Sequence, residues 1–210
     1  LKSLVNVTVK DTVYGNDVIV TVNVPVNETG FVTITINNNN YTAELDGTGK
    51  AVFNVTGLNV NKYLVNVTYE GNEIYYNSTN STYFNVTKAN MSAVVTAQNV
   101  TVKDNVPVII DNVTRDFNGK VIITVNGTKY DDVVKALVEI GKYNAGNYTA
   151  NVTFYGDNNY NNRTYLVNFT VSRVAPEISV RINDTTYPNN AVAEVNITGM
   201  ANGTVFVTVD

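Results

Sequence analysis

Apolar and polar residues alternate with a period of two through most of this chain. Every second residue over 18–24 is valine, and the residues between them are isoleucine, threonine and asparagine. The same alternation recurs over 32–36 and 63–69. Because successive side chains of a strand point to opposite faces, this pattern predicts short strands with one buried face. Clusters of Asn, Asp and Gly between these segments supply turn residues, so the pattern predicts an all-β chain.

One segment carries a different period. Residues 131–140 begin with Asp131 and Asp132, which suit a helix N-cap, and continue with apolar residues at helical spacing. However, residues 136–148 align without a gap on residues 51–63, where the alternation is that of a strand. Since two copies of one domain share one fold, we predict a strand here.

The chain repeats itself with a period of about 85 to 89 residues. The sequence GFVTITIN at 30–37 matches GKVIITVN at 119–126 and GTVFVTVD at 203–210. Residues 63–71 match residues 148–156 in the same way. A repeat of this length is too long for a solenoid unit and suits an autonomous β-sandwich domain.

These matches divide the chain into three parts. We predict a first domain at 1–88, a second at 89–173 and a partial third at 174–210, with about seven strands in each complete copy. The third part has room for some three strands, too few to bury a sandwich core. Either the natural chain continues beyond it, which we favour, or strands from another molecule complete it by β-augmentation.

Several motifs recur in order in the two complete copies. The first copy has YGNDV at 14–18, and it closes with YEGNEIY at 69–75. The second copy closes with FYGDNNY at 154–160, which follows the signature Tyr-x-Gly-Asp-x-x-Tyr. These motifs resemble the bacterial immunoglobulin-like repeat family. The Cys-free composition, rich in Asn, Thr and Tyr, is similar to that of large adhesin-like surface proteins of methanogenic archaea.

The resemblance implies a fold and a role. It implies tandem Ig-like β-sandwich domains that serve as stalk and presentation modules at a cell surface. One departure is the sequence KDNVP at 103–107, which stands where the first copy has YGNDV. We therefore expect the first turn of the second copy to be built differently.

Composition excludes several function classes. Only 15% of residues are charged and the net charge is −4, so no basic surface is available to hold nucleic-acid phosphates. The chain has no Cys, His or Trp, which excludes His- and Cys-based nucleophilic triads and Cys/His zinc sites. The carboxylates are scattered over turns and strand ends without a recurring catalytic pair. We predict a non-enzymatic protein without a cofactor.

The compartment is indicated by one abundant motif. The glycosylation acceptor pattern Asn-x-Ser/Thr occurs nineteen times, well above what random mixing of these residue types would give. Strand alternation alone also places Thr two residues after Asn, so both explanations of the excess stay open. The candidate asparagines are Asn6, Asn27, Asn40, Asn54, Asn66, Asn77, Asn80, Asn85, Asn90, Asn99, Asn112, Asn126, Asn147, Asn151, Asn162, Asn168, Asn183, Asn196 and Asn202.

The start of the chain and its hydropathy give two further expectations. The chain begins Leu1-Lys2-Ser3 without an initiator Met, so we expect it to be an interior segment. No run of about 18 apolar residues is present, so we predict no membrane span in this segment.

Three acidic residues are the candidates for metal binding. Asp157, with Asp131 and Asp132, could offer the oxygen ligands that Ca²⁺ prefers. Asn72 replaces Asp157 in the first copy, and no DxDxDG loop is present. We therefore favour a turn-forming role for these residues over a metal site.

The fourteen tyrosines raise the question of sugar binding. Tyr63, Tyr69 and Tyr148 lie at inward-facing positions, which favours core packing with the hydroxyl at the rim. The remaining candidates for sugar contacts are Tyr76, Tyr83, Tyr155 and Tyr165.

Together these observations predict a non-enzymatic stalk segment of an extracellular, adhesin-like cell-surface protein. Short joins at 87–90 and 172–176 favour a semi-rigid rod, so neighbouring repeats of the same chain are the first predicted partners. Other copies in a fibre, and glycans or proteins of a host or cell surface, are further candidates. Two alternatives remain: a lectin-like glycan-binding module, and a filament subunit assembled head to tail by strand complementation.

Overall fold

The computed structural model describes residues 4–25, 29–131, 137–199 and 203–208. The described residues form twenty strands and no helix, which confirms the all-β prediction. Asn27, Asp132 and Asn202 lie outside the described residues, as do residues 132–136 of the segment with helical spacing.

The first repeat is a sandwich of two sheets. Its strands are β1 (Asn6–Val9), β2 (Thr12–Val13), β3 (Val18–Asn23), β4 (Phe31–Ile36), β5 (Asn39–Glu44), β6 (Lys50–Val55), β7 (Asn61–Tyr69) and β8 (Ser78–Thr87). One sheet has the order β1-β3-β6 and the other β2-β8-β7-β4-β5. The first edge therefore switches sheets, because β1 pairs antiparallel with β3 while β2 pairs parallel with β8.

The second repeat has the same topology. Its strands are β9 (Ala89–Asn90), β10 (Val94–Ala97), β11 (Val100–Thr101), β12 (Pro107–Asp111), β13 (Val121–Val125), β14 (Thr128–Tyr130), β15 (Leu137–Glu139), β16 (Gly146–Phe154), β17 (Tyr160–Asn161) and β18 (Arg163–Ser172). Its sheets have the orders β10-β12-β15 and β11-β18-β16-β13-β14, and β9 pairs with β17. Both repeats are thus Ig-like β-sandwiches, as predicted.

Strand β15 lies in the segment 131–140, where helical spacing and the alignment on the first repeat predict different structures. Residues Leu137–Glu139 are a strand, and Val138 lies opposite Val108 of β12. In the first repeat Phe53 of β6 lies opposite Val20 of β3 in the same way. The strand prediction is confirmed over these three residues, because sheet pairing outweighs local helical spacing.

The third copy contributes a strand pair, β19 (Glu177–Ile182) and β20 (Ala193–Thr198). Val180 lies opposite Val195, as Val7 lies opposite Val22 in the first repeat. In the second repeat Val95 lies opposite Ile110. All three copies therefore have the same antiparallel pair in the same register near their start.

Two separate groups of buried side chains form the cores. The first group lies between Val5 and Val86, and the second between Met91 and Val171. Tyr69 and Phe154 occupy the same place in the two groups, and both are fully buried. Each fully buried large side chain stabilises the fold by about 1.5–3 kcal/mol relative to exposure. The domain boundaries between residues 88 and 89 and between residues 173 and 174 stay a prediction.

The first turn of the second repeat corrects the sequence alignment by one residue. Val106, not Pro107, takes the place of Val18, so Val102, not Lys103, takes the place of Tyr14. The amide of Asp104 donates to the carbonyl of Thr101 at 3.0 Å, as the amide of Asn16 donates to the carbonyl of Val13 at 3.1 Å. The hydrogen bond is shared, but the first repeat has Gly15 at φ +88° where the second has Lys103. The turn is thus built differently in part.

Candidate functional site: the joint between the two complete repeats

The loop 155–162 carries the closing signature of the second repeat. One oxygen of Asp157 accepts hydrogen bonds from the amides of Asn159 at 2.8 Å and Tyr160 at 2.9 Å. The other oxygen accepts from the amide of Asn118 at 2.8 Å. Gly156 is required because a Cβ there would collide with the carbonyl oxygen of Tyr160. The aspartate thus closes the loop and fixes the position of Tyr160.

The first repeat builds the same loop with Asn72 in place of the aspartate. The side-chain oxygen of Asn72 accepts from the amides of Ile74 and Tyr75, both at 2.8 Å. A Cβ at Gly71 would approach the carbonyl oxygen of Tyr75 to 2.7 Å. The Asn-for-Asp replacement therefore conserves the local geometry, since both side chains close an Asx turn.

The loop of the second repeat lies against the first repeat. The hydroxyl of Tyr14 donates to Asp116 Oδ2 at 2.7 Å, and the hydroxyl of Tyr160 donates to Asp116 Oδ1 at 2.6 Å. The two tyrosine rings meet edge to face, with centroids 5.4 Å apart and planes at 85°. One carboxylate thus binds a tyrosine from each repeat. We call Tyr14, Asp116, Asn159 and Tyr160 the joint.

Asn159 adds a second set of contacts. Its side-chain oxygen accepts from the amide of Val60 at 3.1 Å, and its side-chain nitrogen donates to Asn59 Oδ1 at 3.2 Å. Its carbonyl oxygen accepts from the amide of Ala89 at 2.9 Å, next to the parallel pairing of β9 with β17. Lys88 Nζ also donates to the carbonyl oxygen of Asp157. The connecting segment is therefore bound to the second repeat.

The joint holds its ionisable groups in defined states. Hydrogen bonds from Tyr160 and Tyr14 keep the pKa of Asp116 below its ordinary value, so this carboxylate is ionised at neutral pH. Burial and the bond to Asp116 raise the pKa of Tyr160. Burial opposes ionisation of Asp157, but the backbone amides around it outweigh that effect and lower its pKa. The arrangement can fix two domains and offers no proton-transfer pair.

Comparison with known proteins yields structural likenesses only. No protein-family model and no curated protein matches the chain. Among solved structures, the bacterial integrin-binding protein invasin is 18% identical with a TM-score of 0.49, over 85% of this chain and 42% of invasin. The fibronectin(III)-like modules of Clostridium thermocellum CbhA are 15% identical with a TM-score of 0.32, over 80% of this chain and 95% of those modules.

Adhesins occur among the similar structures. A 1.5-MDa bacterial ice-binding adhesin is 19% identical with a TM-score of 0.35, over 87% of this chain and 70% of the solved adhesin chain. All of these likenesses concern the β-sandwich fold, which the strand topology of the chain itself establishes. No helix in the part of the chain that the structure describes is long and apolar enough to cross a membrane.

The candidate calcium ligands have other contacts. Both oxygens of Asp157 accept backbone hydrogen bonds. Asp131 Oδ2 lies 4.0 Å from Lys120 Nζ, and the side chains of Asp131 and Lys120 are 58% and 50% exposed, respectively. Asp132 lies outside the described residues. Within the described ranges no group of three or more acidic side chains could hold a metal ion.

The candidate glycosylation sites are accessible wherever the structure describes them. Every described asparagine of the nineteen acceptor sequences is exposed. Asn66 and Asn151 occupy equivalent positions on the outer faces of β7 and β16. The amide nitrogens of Asn80 and Asn85, by contrast, already donate hydrogen bonds to Val5 and Asp11. Glycosylation itself stays a prediction.

The tyrosines divide largely as predicted. Tyr63 and Tyr69 are buried and Tyr148 is half-buried. Their hydroxyls donate to carbonyl oxygens at 3.0, 2.8 and 2.9 Å, respectively. Of the sugar-contact candidates, Tyr165 is half-buried and accepts a hydrogen bond from Ala93. The exposed candidates are Tyr76, Tyr83 and Tyr155.

Sequence analysis did not find the joint. In the sequence Tyr14 and Tyr160 stand out only as parts of repeat motifs, and no pattern distinguishes Asp116. The available signal was the departure at the first turn, where Val102 stands in place of Tyr14. A tyrosine present in one copy and absent from the other can serve a contact that only one copy makes.

Proposed function

We propose that this chain is a stalk segment of an extracellular, adhesin-like cell-surface protein of the kind found in methanogenic archaea. In this proposal its tandem Ig-like repeats hold other domains away from the cell wall, and they carry no catalytic activity. The observation that carries the proposal is Asp116, which binds Tyr14 of the first repeat and Tyr160 of the second. A stalk requires such a joint, because freely rotating domains would coil back on themselves.

The experiment measures the distance between equivalent points on the two repeats. The chain has no cysteine, so Val52→Cys and Leu137→Cys provide unique spin-label sites. These residues occupy the same position in β6 and β15, and each side chain is 52% exposed. We expect a single narrow distance distribution by pulsed electron paramagnetic resonance.

Two tyrosine variants then test the joint. Tyr14→Phe removes the hydroxyl that binds Asp116, so the distance distribution should broaden. Tyr83→Phe is the matched control, since its ring lies over Lys62 of its own repeat at 4.6 Å. A broad distribution in the unmodified protein, or no response to Tyr14→Phe, would contradict a semi-rigid stalk.

Exposure at the surface of the producing cells is a separate requirement. Antibodies raised against the second repeat should label intact cells without permeabilisation. Specific binding to an array of glycans, together with a loose joint, would instead support the lectin-like alternative.

A further inference from the structure

After the first edge of each complete repeat changes sheets, its strand, β2 or β11, lies beside the last strand and parallel to it. We call β2 and β11 the first strands of these parallel pairs. In the first repeat Thr12 lies opposite Val86 and Val13 opposite Thr87. In the second repeat β11 and β18 make the equivalent pair. One more hydrogen bond extends each pair. The amide of Tyr14 donates to the carbonyl of Thr87 at 2.8 Å, and the amide of Val102 donates to the carbonyl of Ser172 at 3.0 Å.

This arrangement determines how a repeat responds to tension along the chain. Tension pulls the first strand toward the preceding part of the chain and the last strand toward the following part. Because the two strands run parallel, these forces slide them along each other. All bonds between the strands then carry the force together, whereas a pair pulled apart from one end breaks one bond at a time.

Where the first edge changes sheets, its backbone makes no strand pairing for two residues. A side chain from this stretch binds the last strand instead. In the first repeat this point lies between β1 and β2. There Asp11 Oδ1 accepts from the amide of Asn85 at 2.7 Å, and Asp11 Oδ2 accepts from Asn85 Nδ2 at 3.0 Å. Donation from the side chain and amide of Asn85 holds the pKa of Asp11 below its ordinary value.

The second repeat has an equivalent side-chain hydrogen bond between these strands, made by a different residue. Asn99 lies between β10 and β11, and its side-chain oxygen accepts from the amide of Thr170 at 2.7 Å. Asn99 corresponds to Asp11, and Thr170 corresponds to Asn85, in the strand registers of the two repeats. The acceptor is thus an Asx side chain in both copies.

A second hydrogen bond joins the beginning of each repeat to its last strand. Asn80 Nδ2 donates to the carbonyl of Val5 at 2.8 Å. At the equivalent positions of the second repeat, the amide of Ala93 donates to the hydroxyl of Tyr165 at 3.0 Å. The chemistry differs between the copies, but the same two places on the first and last strands are joined.

We propose that Asp11 and Asn99 are mechanical fasteners that resist sliding of the first strand of each repeat along its last strand. This inference gives the proposed stalk a second property, resistance to tension, and it relies on that function only for the source of the tension. The fastener acts where the parallel ladder would otherwise begin, so it must break before β2 or β11 can slide.

The test holds the full chain by its two ends at constant force and measures the lifetimes of the unfolding events. The unmodified chain should give two long-lived events, one for each complete repeat. Asp11→Ala should shorten one lifetime several-fold, Asn99→Ala the other, and the double variant both. Asp11→Asn should retain most of the lifetime, because its oxygen can still accept the amide of Asn85, as Asn99 does for Thr170.

Asp46→Ala is the matched control. Asp46 is an exposed carboxylate whose Oδ1 accepts from the amides of Thr48 at 2.8 Å and Lys50 at 3.0 Å, in a turn away from the terminal strands. It should lower equilibrium stability to denaturant without shortening the lifetime under force, since that turn is still intact when the terminal strands separate. Equal effects of Asp11→Ala and Asp46→Ala on the lifetime, or no effect of Asp11→Ala, would overturn the inference. The distance measurement on Tyr14→Phe reports on the joint alone, so the two proposals can fail separately.

Discussion

Single carboxylates and amides carry much of the specific structure of this chain. Asp157 and Asn72 close equivalent loops, while Asp11 and Asn99 bind equivalent strands. In both pairs an aspartate in one copy corresponds to an asparagine in the other. The exchange is tolerated because the essential contact is a side-chain oxygen that accepts a backbone amide, and both residues provide one.

Asp116 is different, because its charge matters at the joint. Its pKa is lowered in the folded protein, so its contribution to the joint is present above the ordinary pKa of an aspartate and is lost as the pH falls through the folded-state pKa. We expect the distance distribution between labels at Val52 and Leu137 to be narrow at pH 7 and to broaden in acid, below about pH 4.

Asp116→Asn separates this effect from other acid effects. The distance distribution of the variant should be broader than that of the unmodified chain at pH 7, and its width should change less with pH. Asp157 binds the amides of Asn159 and Tyr160 next to the joint and also has a lowered pKa, so a smaller acid response should remain. Identical pH profiles for the variant and the unmodified chain would show that Asp116 does not control the joint.

At the scale of elements, turns between strands depend on a few special positions. The hairpin between β13 and β14 turns at Asn126 and Gly127, with φ of 47° and 81°. Asn-Gly is the residue pair that such a two-residue hairpin favours. The turn between β5 and β6 instead uses Asp46 as an acceptor and Gly49 at φ +79°. The chemistry of both turns is local, because the residues that form each turn lie next to one another in the sequence.

Gly49 and Gly47 provide a matched test within one turn. A Cβ at Gly49 would approach the carbonyl oxygens of Val24 and Pro25 to 2.9 Å, whereas a Cβ at Gly47 meets nothing within 4 Å. We expect Gly49→Ala to destabilise the first repeat by about 1–3 kcal/mol. Gly47→Ala should be close to neutral in the same denaturant unfolding measurement. A similar loss for both variants would show that neither the left-handed backbone of Gly49 nor the close contacts of its Cβ position set the effect.

At the scale of the whole molecule, the three copies share one starting strand pair but differ in how it is covered. Val5 is 6% exposed in the first repeat, while its counterpart Ile178 is 58% exposed. Val22 is fully buried, while its counterpart Val195 is only half-buried. A strand pair without a covering sheet is marginally stable.

Hydrogen exchange should reveal this difference directly. Amides within β19 and β20 should exchange on the order of 10²-fold or more faster than those in β1 and β3 at the same register. The comparison is internal, since both pairs are measured in one sample by mass spectrometry of peptides. Equal protection would mean that the third pair is held by contacts as strong as those of a complete core.

The sequence by itself determined the features that depend on local chemistry and on repetition. The period of two predicted the strands, and Asn/Gly clusters predicted the turns. The alignment of residues 136–148 on 51–63 correctly favoured strand Leu137–Glu139 over a helix. These signals are readable because neighbouring residues, or corresponding residues of two copies, carry them.

Tertiary structure alone decided the contacts that join distant residues. Tyr14 and Asp116 are 102 positions apart in the sequence, and Asp11 and Asn85 are 74 apart. Nothing in the local sequence of an exposed aspartate distinguishes a turn-closing acceptor from one that binds a distant strand or a neighbouring domain. The sheet switch between β1 and β2 and the approach of the second repeat bring these partners together. The physical reason is that a hydrogen bond depends on positions in space, which only the complete packing of the strands defines.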